Sequence, residues 1–243
     1  MKTGRGFLLS LTVLTATLFI LPFSDALFHA LYPELSQPVY RQDNLTLLLI
    51  AHLQIVALSS LPAIFIGVAF GIWVTRPSGA AFRPLAETVL SLVQSIPPVA
   101  VLALAVPLLG FGEWPALLAL TSYGLLPIAH GTLSGLEALP AELGQTARAL
   151  GMTRWQTLRR IELPCAMPAI FAGIRTSVVI NIGTAALAST VGARTLGLPI
   201  IIGLSGFNDA YVIQGALLVA LLAICVDQFF VWMGKSVLPG HRS

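Results

Sequence analysis

Apolar positions in this chain come in long runs separated by short polar breaks, without the strict alternation of a half-buried strand. A membrane-crossing helix needs about 20 mostly apolar residues. The pattern predicts six such helices, at approximately 6–23, 45–74, 86–110, 114–134, 165–190 and 211–234. The second is long enough to tilt or project, with Pro62 as a candidate kink, and the third contains the break Ser95-Ile96-Pro97-Pro98. Lys2 and Arg5 precede the first run, as in a secretory leader. That run is longer than a typical leader core and ends at Ser24-Asp25-Ala26 without an A-x-A site, so a retained helix is expected. One stretch breaks the apolar pattern on a larger scale. Residues 135–164, GLEALPAELGQTARALGMTRWQTLRRIELP, form a polar island with four arginines.

Composition sharpens this picture. Of 243 residues, 56% are hydrophobic and only 9% charged, whereas soluble domains carry about 25% charged residues. The chain therefore reads as an all-α integral membrane protein, with residues 1–243 forming a single domain. The net charge of +3 matters less than its distribution. With the N-terminus inside, Lys2, Arg5, Arg76, Arg83, Arg148, Arg154, Arg159, Arg160, Lys235 and Arg242 fall on the cytoplasmic side, and only Arg41 and Arg194 outside. Both termini are thus expected in the cytoplasm. Asp25, Glu34, Asp43, Glu113 and Asp209 make the outer side mildly acidic, which reads first as solvated loop charge. The outer loop 191–210 is rich in glycine and too short to span, so it is expected to re-enter or lie over the bundle.

The island has internal order. Pro140 suits a first helical turn and Gly151 the position past a helix end, with Leu143, Ala147 and Leu150 on one face between them. Glu142 and Arg148 match the helix dipole. A second short helix is predicted from the Thr153/Gln156 capping-box spacing, with Trp155, Leu158 and Ile161 repeating along it and Pro164 ending it. Helix, glycine corner, helix makes a compact cytoplasmic knob. Physics alone leaves two readings open, a docking site for a soluble partner and an arginine anchor to anionic lipid.

At this point the sequence resembles a known family. Gln145-Thr146-Ala147, three residues, Gly151, nine residues and Ile161-Glu162-Leu163-Pro164 reproduce the spacing of the EAA motif of binding-protein-dependent ABC importer permeases. Gln145 and Thr146 stand where the family usually has Glu and Ala. Ser95-Ile96-Pro97-Pro98, Val106 to Gly112, Leu126-Pro127-Ile128, Ala172 to Thr176, Asn181 to Ala185, Gly203 to Asn208 and Tyr211 to Ala216 look like the osmoprotectant branch, which moves glycine betaine, choline and carnitine. The resemblance implies a type I importer permease fold in a bacterial inner membrane. It also implies a cytoplasmic ATPase that binds ATP and Mg, a second and related permease, and an extracytoplasmic substrate-binding protein, with no cofactor in this chain. Leu143, Gln145, Ala147, Arg148, Leu150, Gly151, Ile161, Leu163 and Pro164 are the implied ATPase-coupling residues.

Several residues invite a second reading. Gln94, Ser95, Pro97, Pro98, Asn181 and Thr184 are candidates for the translocation path; for Asn181 and Thr184 the ordinary alternative is a hydrogen bond between helices. The proline break frees backbone carbonyls that either find a helix partner or face a wet cavity, and the cavity is expected. Asp227 requires a partner or water and reads as a snorkelling or structurally paired acid. His52 and His130 read first as packing residues, Cys165 and Cys225 as small apolar groups, and Trp73, Tyr123, Trp155 and Trp114 as interface anchors. No P-loop, H-E-x-x-H, G-x-S-x-G or metal-ligand spacing occurs, so no catalytic residue is expected and any ATP hydrolysis must come from another chain. An ion-coupled transporter would need a deep acid, for which Asp227 is the one candidate.

Overall fold

The computed structural model describes residues 2–237, apart from the side chains of Lys2, Thr3, Ala86, Leu90, Val93, Gln94, Ser236 and Val237; Arg242 lies outside the described residues. Its elements are all helical among those residues. Helix α1 (Lys2–Ile20) continues as a 3-10 turn and the short α2 (Asp25–Leu31), followed by α3 (Leu45–Val74), α4 (Arg83–Ser95), α5 (Pro98–Leu109) and α6 (Glu113–Glu137). Then come α7 (Ala141–Ala149), α8 (Arg154–Thr157), α9 (Leu163–Ala185), α10 (Leu198–Ser205) and α11 (Asp209–Val237). Among the described residues, five helices are long and apolar enough to cross a membrane.

The third expected span, 86–110, is two helices. Pro97 disfavours helical backbone at Ile96, and Pro98 does the same to Pro97. Ile96 and Pro97 accordingly turn extended, with ψ of 127° and 136°. The carbonyl this frees on Ile96 accepts a hydrogen bond from the Tyr123 hydroxyl on α6. A helix partner thus satisfies this carbonyl, and Tyr123 is a buried strut where an interface anchor was expected.

Three helices, α3, α6 and α9, form the centre of the bundle. Small residues let α6 and α9 touch backbone to backbone: a Cβ at Gly173 would lie 2.5 Å from the Pro127 carbonyl oxygen, and one at Gly131 2.7 Å from that of Ala169. Helix α1 packs along α11, burying Leu14 and Leu18 and stacking Phe7 on Trp232. The first apolar run is therefore part of the bundle.

The two ends of the bundle differ. At the one where α3 begins, Gln214 clasps the preceding loop by donating to the Pro38 carbonyl (2.6 Å) and accepting from the Tyr40 N–H (3.0 Å). Arg41 pairs with Asp25 and Arg194 with Asp43, so two of the expected solvated acids are ion-paired. Burial and a hydrogen bond to Asp43 hold the Tyr40 phenol protonated well above its usual range. The 191–210 loop caps this end: Gly192 turns it with φ +87°, and Ala193, Thr195 and Leu196 are fully buried. At the opposite end lie the polar island and the α3–α4 connection.

Candidate functional site

The island folds from its own sequence signals. Pro140 precedes α7 in an extended conformation and its carbonyl accepts the Leu143 N–H at 3.1 Å, so it caps the helix from outside its first turn. Gly151 adopts φ +73°, which only glycine takes without cost, while the Met152 N–H closes the helix end on the Ala147 carbonyl (3.0 Å). The capping box forms as expected, Gln156 N–H to Thr153 Oγ1 at 3.3 Å and Thr153 N–H to Gln156 Oε1 at 2.8 Å.

Pro164 does not end the second helix. A π turn over Leu158–Glu162 runs straight into α9, with Pro164 in its first turn. Proline offers no N–H to the Arg160 carbonyl four residues back and its ring would strike that carbonyl, so the wider turn accommodates it. The I-x-L-P end of the motif is therefore a kink within one long rod.

Among the expected coupling residues, Ala147 is fully buried, and Leu143, Ile161 and Leu163 are half-buried. Gln145, Arg148, Gly151 and Pro164 are exposed, as is Leu150 at 73%. The apolar face thus splits, with Ala147 buried and Leu150 left outward. Beneath the knob lies a cleft of about 590 Å³ whose lining includes Arg76, Arg148, Arg154, Trp155 and Glu162. Arg76, from the end of α3, donates to Glu162 in the π turn at 2.6 Å. This tie was not foreseen, because 86 positions separate the two residues. Arg148 and Arg154 form no ion pair with the described residues. The cleft therefore carries positive charge without an internal counter-charge.

A second opening lies along α4. Its groove, about 560 Å³, is lined by Glu87, Thr88, Ser91 and Ser95 on α4 and by His130 on α6. Of the expected path residues, Ser95 and Pro97 are exposed and Pro98 half-buried, whereas the Gln94 side chain lies outside the described residues. Thr184 is half-buried. Asn181 departs from the expectation. It is fully buried, its Nδ2 donating to Ser60 Oγ at 3.2 Å beside Gly124, so it joins helices instead of lining a path.

Other embedded polar groups are also structural. His52 bonds through Nε2 to the Ile182 carbonyl (3.0 Å) and accepts the Leu196 N–H on Nδ1 (3.2 Å), tying α3 to α9 and to the 191–197 turn. Those two roles require the neutral ring with its proton on Nε2. Asp227 receives two bonds from Arg175, at 2.6 and 2.7 Å. Asp227 is thus a structurally paired acid, with its partner on α9. Cys225 is buried and Cys165 exposed, both as free thiols.

A knob with EAA spacing, rooted in a membrane-crossing helix, has a counterpart among known proteins. The family described as binding-protein-dependent transport system inner membrane component matches residues 63–238. The chain belongs to that family. Relatives include the osmoprotectant import permease protein OsmW of Salmonella typhimurium, 43% identical over 77% of this chain and 90% of the relative. OsmY of the same organism, also an osmoprotectant import permease protein, is 39% identical over 82% of this chain and 84% of its own length. The glycine betaine/carnitine/choline transport system permease protein OpuCB of Bacillus subtilis is 38% identical over 77% and 86%. Among solved structures, the methionine ABC transporter MetNI in an inward-facing conformation superposes with a TM-score of 0.72 at 23% identity, covering 79% of this chain and 95% of that one. The last likeness bears on fold alone. The chain is therefore a multi-pass membrane protein of the type I importer permease fold and a transport subunit.

Proposed function

We propose that this chain is the transmembrane permease subunit of an ATP-driven importer for osmoprotectants of the quaternary-amine class, such as glycine betaine or choline, in a bacterial inner membrane. The observation that carries the reading is the EAA-spaced knob continuing through a π turn into α9. The names of relatives at 38–43% identity support the substrate class. A cytoplasmic ATPase would take the knob into a surface cleft and, on closing around ATP and Mg, push the α9 rod. All nucleotide chemistry then belongs to that partner, and this chain needs no cofactor. Arg148 and Arg154 would meet acidic groups on the ATPase, since Gln145 brings no charge of its own. A second, related permease would complete the path, and an extracytoplasmic binding protein would select and deliver the solute. Ion coupling through Asp227 is disfavoured, because Arg175 already holds both carboxylate oxygens.

The test is co-purification with the neighbouring transport proteins, followed by ATPase assays in proteoliposomes with binding protein and a panel of quaternary amines. Stimulation by glycine betaine or choline is expected. Absence of stimulation by every member of the panel rejects the substrate class, and uptake that persists without the ATPase rejects the mechanism.

A further inference from the structure

The α4 groove has an electrostatic character opposite to that of the cleft beneath the knob. Thr88 donates its hydroxyl proton to the Pro84 carbonyl at 2.8 Å, and Ser95 to that of Ser91 at 2.9 Å. With those protons spent inside the helix, the hydroxyl oxygens turn lone pairs toward the groove. Both side chains, and that of Ser91 between them, are exposed. Spacings of three and four residues place all three on one helical face. The spare lone pairs of this exposed row find donors in water and none in lipid, so the row is better matched by an aqueous surface. No lysine or arginine lines the groove among the described residues. At its end Glu87 and Glu137 both bind the single guanidinium of Arg83, leaving one net negative charge. A groove of hydrogen-bond acceptors with net negative charge concentrates cations and repels anions.

We infer that this groove is the chain's contribution to the aqueous path and that Glu87 is a specificity-determining residue favouring solutes with net positive charge over zwitterions. A trimethylammonium group has no N–H to donate, so attraction reaches it through charge and not through hydrogen bonding. Choline carries that charge uncompensated; glycine betaine offsets it with a carboxylate that the acceptor row repels. His130, exposed opposite Glu87, narrows the groove from the α6 side.

The inference rests on the proposed transport role, and two measurements separate their failures. In proteoliposomes holding the complete importer, Glu87→Gln should lower the choline-to-glycine betaine uptake ratio about tenfold, and Glu87→Asp should restore most of it. An equal fall for both solutes would make Glu87 merely structural and overturn the assignment. Should the unaltered importer move neither solute, the proposed substrate class falls first. The second measurement needs no uptake. In a Cys165→Ser background, Ser91→Cys is modified with trimethylammonium- or sulfonate-bearing thiosulfonates, with rates normalised to a free thiol. The cationic reagent should be favoured about tenfold, a preference that Glu87→Gln abolishes. Equal rates, or faster modification by the anionic reagent, would overturn the inference even if transport is found.

Discussion

The cleft beneath the knob and the groove along α4 are openings of similar size, about 590 and 560 Å³, yet they offer opposite chemistry. Three arginines and one glutamate line the first; hydroxyl oxygens, a glutamate and a histidine line the second. Because unpaired arginines and a hydroxyl row attract partners of different charge, the proposed function would give the ATPase a basic face and the solute an acceptor face. The difference teaches that one bundle can carry two surfaces of opposite charge, which the proposed function would use separately for coupling and for passage. Arg76 belongs to the cleft, Arg83 to the margin of the groove, and only the turn 75–82 lies between α3 and α4.

The sharpest way to break this division is at the corner of the knob. Gly151→Asp adds a Cβ that meets no atom of this chain within 4 Å, so its cost within the chain is the left-handed backbone alone, about 1 to 2 kcal/mol. Membrane insertion should persist and uptake should vanish. Normal uptake at normal abundance would remove the knob from the mechanism. Charge reversal of Arg148 and Arg154 to glutamate should weaken ATPase association roughly tenfold and flatten its salt dependence, while leaving the ratio of choline to glycine betaine uptake unchanged. A changed ratio would show that the two surfaces are not separate.

Smaller effects sharpen the ties between the regions. Glu162→Gln leaves Arg76 without its charge partner; for a pair this partly solvated the loss should be about 1 kcal/mol, or a fall in melting temperature of about 2 to 4 °C in detergent. Tyr123→Phe removes the donor to the Ile96 carbonyl and should cost about 1 kcal/mol, read by the same thermal scan. If Tyr123→Phe also altered solute preference, the α4–α5 break would be part of the path and not only its support.

Much of the fold was legible in the sequence because its causes are local. Apolar runs gave five crossing helices, the Pro97-Pro98 break marked where the remaining run divides, and Gly151 and the Thr153/Gln156 pair fixed the shape of the knob. The misreadings came where a local signal had a distant competitor. Pro164 reads as a stop, but packing against the bundle carries the helix past it through a π turn. Asn181 reads as a path residue at that depth, but Ser60 and Gly124 from two other helices enclose it. The hydroxyl row on α4 could have been found from the spacing of Thr88, Ser91 and Ser95; its opposition to Glu87 and His130 could not.

The sequence by itself thus determined the apolar crossing helices and the conformation of the knob, since each depends on residues close to one another along the chain. Tertiary structure alone decided which polar groups face one another across helices: Arg76 with Glu162, Arg175 with Asp227, His52 between Ile182 and Leu196, and the acceptor groove between α4 and α6. The reason is physical. Between apolar helices the rotation about each axis is set by how side chains interlock with neighbours, and the hydrophobic run that inserts a helix carries little information about that rotation.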